Sequence, residues 1–308
     1  MSSAEIPSTL LALSQNLADA VEKAGRAVVA VNARHRIPSS GVHWRSGVIV
    51  TADHTVRRDE EITVTLPDTR KVAAKLVGRD SSTDLAVLKL EDVDIPTAEI
   101  GDTELLKVGH MVLAVARPGE SGLSASWGVV SAKGGAGRNW CGGQIDSFLR
   151  LDLSLYPGFS GGALVDASGT VVGINTSGPR NMVLAIPVDV VNRVIETLLE
   201  KGRIARGYLG LGMQPVVFPD TLKSTLNLSS DGGVIVVNVE PNGPADRAGV
   251  LIGDVLLEFD NTPVSDTADV QAVLSPESVG KTFRVQMIRG GARVEVAIAV
   301  SERPLNNS

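Results

Sequence analysis

The 308-residue sequence predicts a mainly β protein, a β-barrel unit followed by a smaller β-rich unit, on three observations. Short β-rich runs punctuated by Gly, Pro and Asp fill residues 26–175, the texture of antiparallel barrels and sandwiches. Helices of about 10–15 residues between those runs are missing, which removes a parallel α/β architecture. All four histidines, at positions 35, 43, 54 and 110, precede the run Gly158-Phe159-Ser160-Gly161-Gly162.

The third observation limits the chemistry. A Gly-x-Ser-x-Gly run can be the nucleophile elbow of an α/β-hydrolase, but that fold needs its histidine after the serine. The remaining orders are His, Asp, Ser on chymotrypsin-like β-barrels and Asp, His, Ser on subtilisin-like α/β folds. Without helices between the strands, the first is left.

Taken in order, Thr9 to Ala24 carries Leu10, Leu11, Leu13, Leu17, Ala20, Val21 and Ala24 near a helical period, so residues 1–26 read as a helical segment stopped by Gly25. Strands are expected at Arg26–Asn32, Gly47–Thr51, Ile62–Leu66, Val72–Gly78, Asp84–Leu90, Met111–Ala116, Trp127–Ala132, Phe148–Leu153, Ala163–Asp166 and Val171–Asn175. Pro187 to Lys201 is apolar at Val190, Val191, Val194, Ile195, Leu198 and Leu199 and stops at Gly202, one helix with a glycine end. A short basic connector follows, so the first domain is placed at 27–202 and a second at 207–303.

Bulk properties exclude several classes. Apolar residues make up 43% of the chain, enough for two cores, with few aromatics among them. A net charge of −6 without clustered Lys and Arg argues against a nucleic-acid face. The single cysteine, Cys141, permits no internal disulfide and belongs to no zinc spacing; it reads as a loop or core thiol, and no metal or cofactor is expected. Met1 to Ile6 lacks the pattern of a signal peptide, and no window reaches the roughly 20 apolar residues of a membrane span. The chain as written therefore reads as cytoplasmic, or as periplasmic or extracytoplasmic if a leader has been removed.

A serine hydroxyl is a weak nucleophile and needs an adjacent base held by an orienting partner. Ser160 is the candidate nucleophile, and the backbone N–H groups of Gly158 and Ser160 can form an oxyanion hole where glycines keep the turn tight. His54 follows the apolar run Ser46–Thr51, where a rigid strand end would present a base. Asp84 opens a strand, so its carboxylate can be buried behind an imidazole. Asp59, Asp68, Asp80, Asp92 and Asp102 lie in polar or turn-like contexts, and His35, His43 and His110 read as structural or solvated, the first two in a loop.

With those residues placed, the sequence resembles the HtrA/Deg family of serine proteases. The carriers are Ser46-Gly47-Val48-Ile49-Val50-Thr51 leading to His54, Ser82-Thr83-Asp84-Leu85-Ala86-Val87-Leu88-Lys89, Pro157-Gly158-Phe159-Ser160-Gly161-Gly162-Ala163-Leu164, Gly173-Ile174-Asn175 and Ala185-Ile186-Pro187. The resemblance implies a chymotrypsin-like double β-barrel followed by a smaller α+β PDZ domain, with His54 as base, Asp84 as its orienter and Ser160 as nucleophile. It departs from the family at Tyr156 and Phe159, usually asparagines, at Ala163, usually proline, and at Arg117-Pro118-Gly119-Glu120, usually Asn-Pro-Phe-Gly. A bulky Phe159 is expected to alter the oxyanion loop or cover part of the pocket. Ser154 aligns with the position where a trypsin-type pocket would need an acid, so a small or medium aliphatic preference is expected.

Gly207-Tyr208-Leu209-Gly210-Leu211-Gly212 and Pro244-Ala245-Asp246-Arg247-Ala248-Gly249-Val250 resemble the PDZ domains of the same family. By that resemblance Tyr208, Leu209, Gly210 and Leu211 form the carboxylate-binding loop for peptide C-termini, and Thr267 to Leu274 the groove helix. The function implied is an endopeptidase degrading unfolded or damaged polypeptides; a catalytically weakened peptide-binding or chaperone-like protein is the alternative. Family members commonly form trimers through N-terminal segments carrying aromatic residues. The first aromatic residue here is Trp44, and a homotrimer is the expectation the resemblance leaves.

Overall fold

The computed structural model describes residues 8–34, 37–91, 93–119, 122–134, 137–138, 144–145, 147–178, 182–204, 207–228 and 230–302. His35, Asp92, Cys141 and the two chain ends lie outside them. The chain divides into two compact units, Met1–Ile204 and Ala205–Ser308.

The first unit opens with helix α1 (Ser8–Gly25). Its Ala20 and Ala24 are buried, with Leu17 and Val21 packed beside them, while Leu10, Leu11 and Leu13 stay exposed. Six strands then close a barrel: β1 (Val28–Asn32), β2 (Ser39–Arg45), β3 (Val48–Ala52), β4 (Ile62–Thr65), β5 (Lys71–Asp80) and β6 (Leu85–Lys89), in the order β1-β2-β3-β6-β5-β4. Next come β7 (Met111–Ala116), β8 (Ser124–Gly134), the short pair β9 (Gly137–Arg138) and β10 (Gln144–Ile145), then β11 (Phe148–Asp152), β12 (Ala163–Asp166), β13 (Val171–Ser177) and β14 (Val183–Pro187). All but the short pair close a second barrel, β11-β14-β13-β12-β7-β8. Helix α2 (Val188–Lys201) ends at Gly202, whose φ of 70° lets its N–H return to Leu198 O at 2.8 Å.

The strands are apolar on both faces because each face has a different partner. Val29, Val31, Ile49, Ala86 and Leu88 fill the first barrel, and Val112, Val130, Leu149, Leu164 and Val172 the second. Side chains offset by one residue, Val28, Val48, Val50 and Val87 from the first barrel and Leu113, Val115 and Val165 from the second, join Val191, Ile195 and Leu198 of α2 in a core between the barrels. That third core fixes one barrel against the other.

Two strands of the barrels, β2 and β14, were not legible in the sequence. Strand β2 was expected as a polar loop, yet its first six residues are buried. Its serines, glycine and histidine find partners across the barrel, so composition misleads. His43 is 1% exposed, against the expectation of a loop histidine: its Nδ1 donates to Pro96 O at 3.0 Å and its Nε2 accepts from Gly47 N at 3.1 Å. Strand β14 seats between β11 and β13 to close the second barrel.

The second unit holds β15 (Gly207–Tyr208), β16 (Leu211–Val217), α3 (Asp220–Leu226), β17 (Gly232–Val239), α4 (Pro244–Arg247), β18 (Val255–Phe259), β19 (Thr262–Pro263), α5 (Thr267–Val273), β20 (Thr282–Arg289), β21 (Ala292–Ala299) and β22 (Ser301–Glu302). Its main sheet runs β16-β17-β18-β20-β21, with β19 on β18 and β15 paired separately with β22. Leu209, Val234, Val236, Leu256, Phe259, Val285, Met287 and Ile298 form the core, which Val270 of α5 caps. Asp254 is 1% exposed and receives Arg289 Nε at 2.8 Å, Arg289 Nη2 at 2.6 Å and Leu251 N at 2.8 Å. Burial alone would raise its pKa; the hydrogen bonds from Arg289 and Leu251 and the guanidinium charge outweigh it and hold the carboxyl below its ordinary value.

That depressed value predicts an acid limb to the second unit's stability. The contribution is complete above the unfolded aspartate pKa of about 3.9 and is lost as pH falls through the lower folded value. Arg289→Met, which strands a buried carboxylate, is expected to cost about 2 kcal/mol at neutral pH. Hydrogen exchange of the β18 amides measures this. Tryptophan fluorescence is the internal control, since Trp44, Trp127 and Trp140 all lie in the first unit and should not respond.

Candidate active site

His54 sits in the 3-10 turn Asp53–Thr55 that follows β3. The turn is pinned from below. Buried Asp53 accepts from Arg79 Nε at 2.5 Å and Ser81 Oγ at 2.7 Å, and Arg79 Nη2 donates to Val56 O at 2.8 Å. Thr55 Oγ1 donates to Ala52 O at 2.7 Å.

Asp84 is delivered by the turn between β5 and β6. Asp80 closes that turn, accepting from Ser82 Oγ at 2.7 Å and Thr83 Oγ1 at 2.8 Å. Asp84 itself has φ of 58°, a left-handed conformation that aspartate tolerates better than most residues but still at a cost. Its carboxylate accepts from the His54 backbone N–H at 2.8 Å and from His54 Nδ1 at 2.7 Å, and a third time from Thr176 Oγ1 on β13. The Asp84 side chain is 5% exposed and the His54 side chain 20%. A carboxylate on Nδ1 fixes the imidazole tautomer and leaves Nε2 free to take a proton.

Ser160 stands in the loop before β12. Gly161 N donates to Asn175 O at 2.8 Å, Asn175 N to Gly162 O at 2.9 Å, and Ser40 N to Ser160 O at 3.1 Å, so the loop is bound on both sides. Gly161, with φ of +83°, lies so close to β3 that a Cβ there would fall 2.4 Å from Thr51 Oγ1 and 2.8 Å from Ala52 N. The serine loop therefore abuts the strand end that carries His54. No hydrogen bond joins Ser160 to His54 among the described residues; such contacts tighten when substrate binds.

The amides of the loop divide into two sets. Those of Phe159, Gly161 and Gly162 donate to Tyr156 O, Asn175 O and Phe159 O. Those of Gly158 and Ser160 donate to no acceptor among the described residues. Gly158 has φ of +93°, and its carbonyl is held by Ser40 Oγ at 2.8 Å, which in turn accepts from Arg117 N at 2.8 Å. The Arg117 guanidinium, its pKa lowered by burial, binds Val28 O and Gly25 O. Two free amides on a braced loop suit a developing oxyanion.

A cleft of about 480 Å³ opens beside Ser160, lined by Arg34, Ile37, Leu155, Tyr156, Pro157, Gly158 and Ser177. Among the described residues no carboxylate lines it, and Ser154 is not among its walls. Phe159 is 2% exposed and packs on Ala114, Ala116, Leu153 and Leu155, edge-to-face with Tyr156 at 5.5 Å. The expectation that it covers the pocket is therefore corrected: its ring anchors the loop from inside the second barrel, and Tyr156 is the aromatic residue at the cleft.

The structure brings His54 and Asp84 together and docks the Ser160 loop on the end of β3, the strand that leads to His54. Sequence reasoning missed Thr176 and Ser40, which hold Asp84 and the Gly158 carbonyl. A signal for Thr176 was its place just after Gly173-Ile174-Asn175; Ser40 had none. In the second unit, Leu209 and Ala245 are joined by an Ala245 N–H to Leu209 O bond of 2.9 Å, and Glu240 N donates to Gly210 O at 2.8 Å. These contacts turn the Leu209 and Gly210 carbonyls inward, and the two amides donate to no acceptor among the described residues.

Gly161→Ala tests the docking of the serine loop on β3. A Cβ 2.2 Å from Ser40 O, at a backbone angle unfavourable for alanine, is expected to cost about 3 kcal/mol. A lowered unfolding midpoint by tryptophan fluorescence is the check.

Comparison with known proteins agrees with this geometry. Residues 39–174 match the family described as trypsin-like peptidase domain and residues 207–300 the PDZ domain. A protein of Pseudomonas savastanoi pv. phaseolicola named "Probable periplasmic serine endoprotease DegP-like" is 36% identical over 264 residues, 84% of this chain and 54% of the relative. A relative of the same name from Hahella chejuensis is 33% identical over 270 residues, 86% of this chain and 56% of its own. The chain thus spans about half the length of the curated relatives it matches. Among solved structures, the HtrA-type protease AlgW with decapeptide aligns with a TM-score of 0.74 at 30% identity, covering 94% of this chain and 99% of that one. The serine endoprotease from Yersinia pestis aligns with a TM-score of 0.74 at 32% identity, covering 94% and 98%. Similarity of this extent, over nearly the whole of both chains, establishes that the chain belongs to the HtrA family of trypsin-like serine proteases with a PDZ domain.

Proposed function

We propose that this chain is a serine endopeptidase that hydrolyses unfolded or damaged polypeptides through His54, Asp84 and Ser160. The observation that carries the reading is the Asp84 carboxylate held on His54 Nδ1 beside a serine loop with two free amides. Ser160 Oγ attacks the scissile carbonyl while His54 Nε2 takes its proton, and Asp84 stabilises the imidazolium. The negative oxygen of the tetrahedral intermediate binds the N–H groups of Gly158 and Ser160. His54 then protonates the leaving amine, and water hydrolyses the acyl-enzyme by the same path. The Leu155 and Tyr156 walls suit an uncharged residue before the scissile bond.

The PDZ unit binds polypeptide C-termini at Tyr208, Leu209, Gly210 and Leu211, whose turn offers amides to a carboxylate, while the peptide extends β16 as an added strand. HtrA-type structures described with a decapeptide and with a tripeptide support peptide binding by this architecture. No helix among the described residues is long and apolar enough to cross a membrane. The names of the relatives support periplasmic placement over the cytoplasmic reading. The weakened-site alternative rested on Phe159, and its burial away from the cleft removes that ground.

Casein degradation by the wild type beside Ser160→Ala tests the reading. Loss of about 10⁶-fold in kcat in the variant is expected; equal activity in both would refute the assignment. Thr176→Val removes one of the three hydrogen bonds on Asp84 and is expected to lower kcat about tenfold with KM little changed, measured on a peptide substrate.

A further inference from the structure

Peptide hydrolysis as derived above uses none of the charge on one wall of the cleft. Arg34 and Ile37, on the connection between β1 and β2, face Leu155 to Gly158 and Ser177 across it. Arg34 Nε donates to Ile37 O at 2.6 Å, which fixes the guanidinium plane. Its two Nη groups have no acceptor among the described residues. The side chain is partly buried, and desolvation followed by repulsion from Arg57 lowers its pKa; no carboxylate contributes. A half-desolvated guanidinium beside a second cation, at a cleft with no acid among its described walls, is a cation that can take its counter-charge from a ligand.

The other wall indicates which part of a substrate meets it. Strand β13 last pairs with β12 at Ile174, and Asn175 then bonds to Gly161 and Gly162. By the two-residue period, Ser177 N–H and C=O point the same way past the end of β12, a strand edge beside Ser160 with no partner strand among the described residues. The acyl half of a substrate extends that edge as an added strand. The Arg34 wall is left for the leaving-group half. It borders the oxyanion loop directly, since a Cβ on Gly158 would fall 2.9 Å from Pro38 O.

We propose that Arg34 is a specificity-determining residue that binds a substrate carboxylate on the leaving-group side of the scissile bond. Its two Nη groups can grip both carboxylate oxygens, which an amide of the same shape cannot reciprocate. The proposal rests on the peptidase reading, and binding separates the two. The probes are C-terminally amidated peptides, which do not present a terminus to the PDZ loop, with Asp or Asn at each of the first three leaving-group positions. A second series ends at those positions in a free carboxylate or an amide, so that side-chain and terminal carboxylates are told apart.

For the wild type, kcat/KM is expected to favour the carboxylate over its amide roughly five- to tenfold at one position in at least one series. Arg34→Gln should bring that ratio to about one, and Arg34→Lys should keep part of it. A ratio near one at every position in the wild type, or a ratio unchanged in Arg34→Gln, would overturn the proposal, as would an equal loss on both peptides. The same peptides are titrated by fluorescence anisotropy against Ser160→Ala and Ser160→Ala/Arg34→Gln. No cleavage by the wild type, with the binding preference present and abolished by the Arg34 change, would sink the peptidase reading and leave Arg34 standing. No binding preference there would sink Arg34 itself.

Discussion

The carboxylate of Asp84 is the junction through which the two barrels become one site. It sits on the first barrel, holds His54 by both backbone and ring, and is held in turn by Thr176 of the second. An almost fully buried carboxylate is tolerable only when it accepts several hydrogen bonds, and those partners come from two domains of the fold. The geometry of the base therefore depends on barrel docking. The left-handed φ of Asp84 indicates that the surrounding contacts impose this position.

Docking itself is set by the apolar core between the barrels. Strands such as β3 bury every residue, because alternate side chains enter the barrel interior and the layer shared with the other barrel and α2. An apolar-polar alternation would have left one barrel face wet and the pair unlocked. The Ser160 loop then follows from close backbone approach: Gly161 is held against β3 where no side chain fits.

The pair Tyr156 and Phe159 illustrates how a departure from family pattern is absorbed. The Phe159 ring, buried among Ala114, Ala116 and Leu155, anchors the loop by apolar packing, and the amides of Gly158 and Ser160 meet no acceptor among the described residues. The loop is braced from the opposite side by Ser40 and Arg117. In the PDZ unit the equivalent of this bracing is the buried Asp254–Arg289 pair, which ties the turn before β18 to β20.

Much of this was legible in the sequence. The order His54, Asp84, Ser160, the glycines around the serine, both long helices and most strands follow from local pattern and turn chemistry, which act over a few residues. Strand β2 and buried His43 did not, because their polar side chains are satisfied only across the closed barrel. Thr176 reaches Asp84 over a sequence separation of 92 and Ser40 reaches the Gly158 carbonyl over 118, distances at which no periodicity carries information. The direction of the Phe159 ring was likewise a tertiary decision, made by the void among small residues of the second barrel. What the sequence by itself determined was which groups could do the chemistry. Which groups hold them in place was decided by packing, because buried polar atoms take whatever partner the folded chain brings within reach.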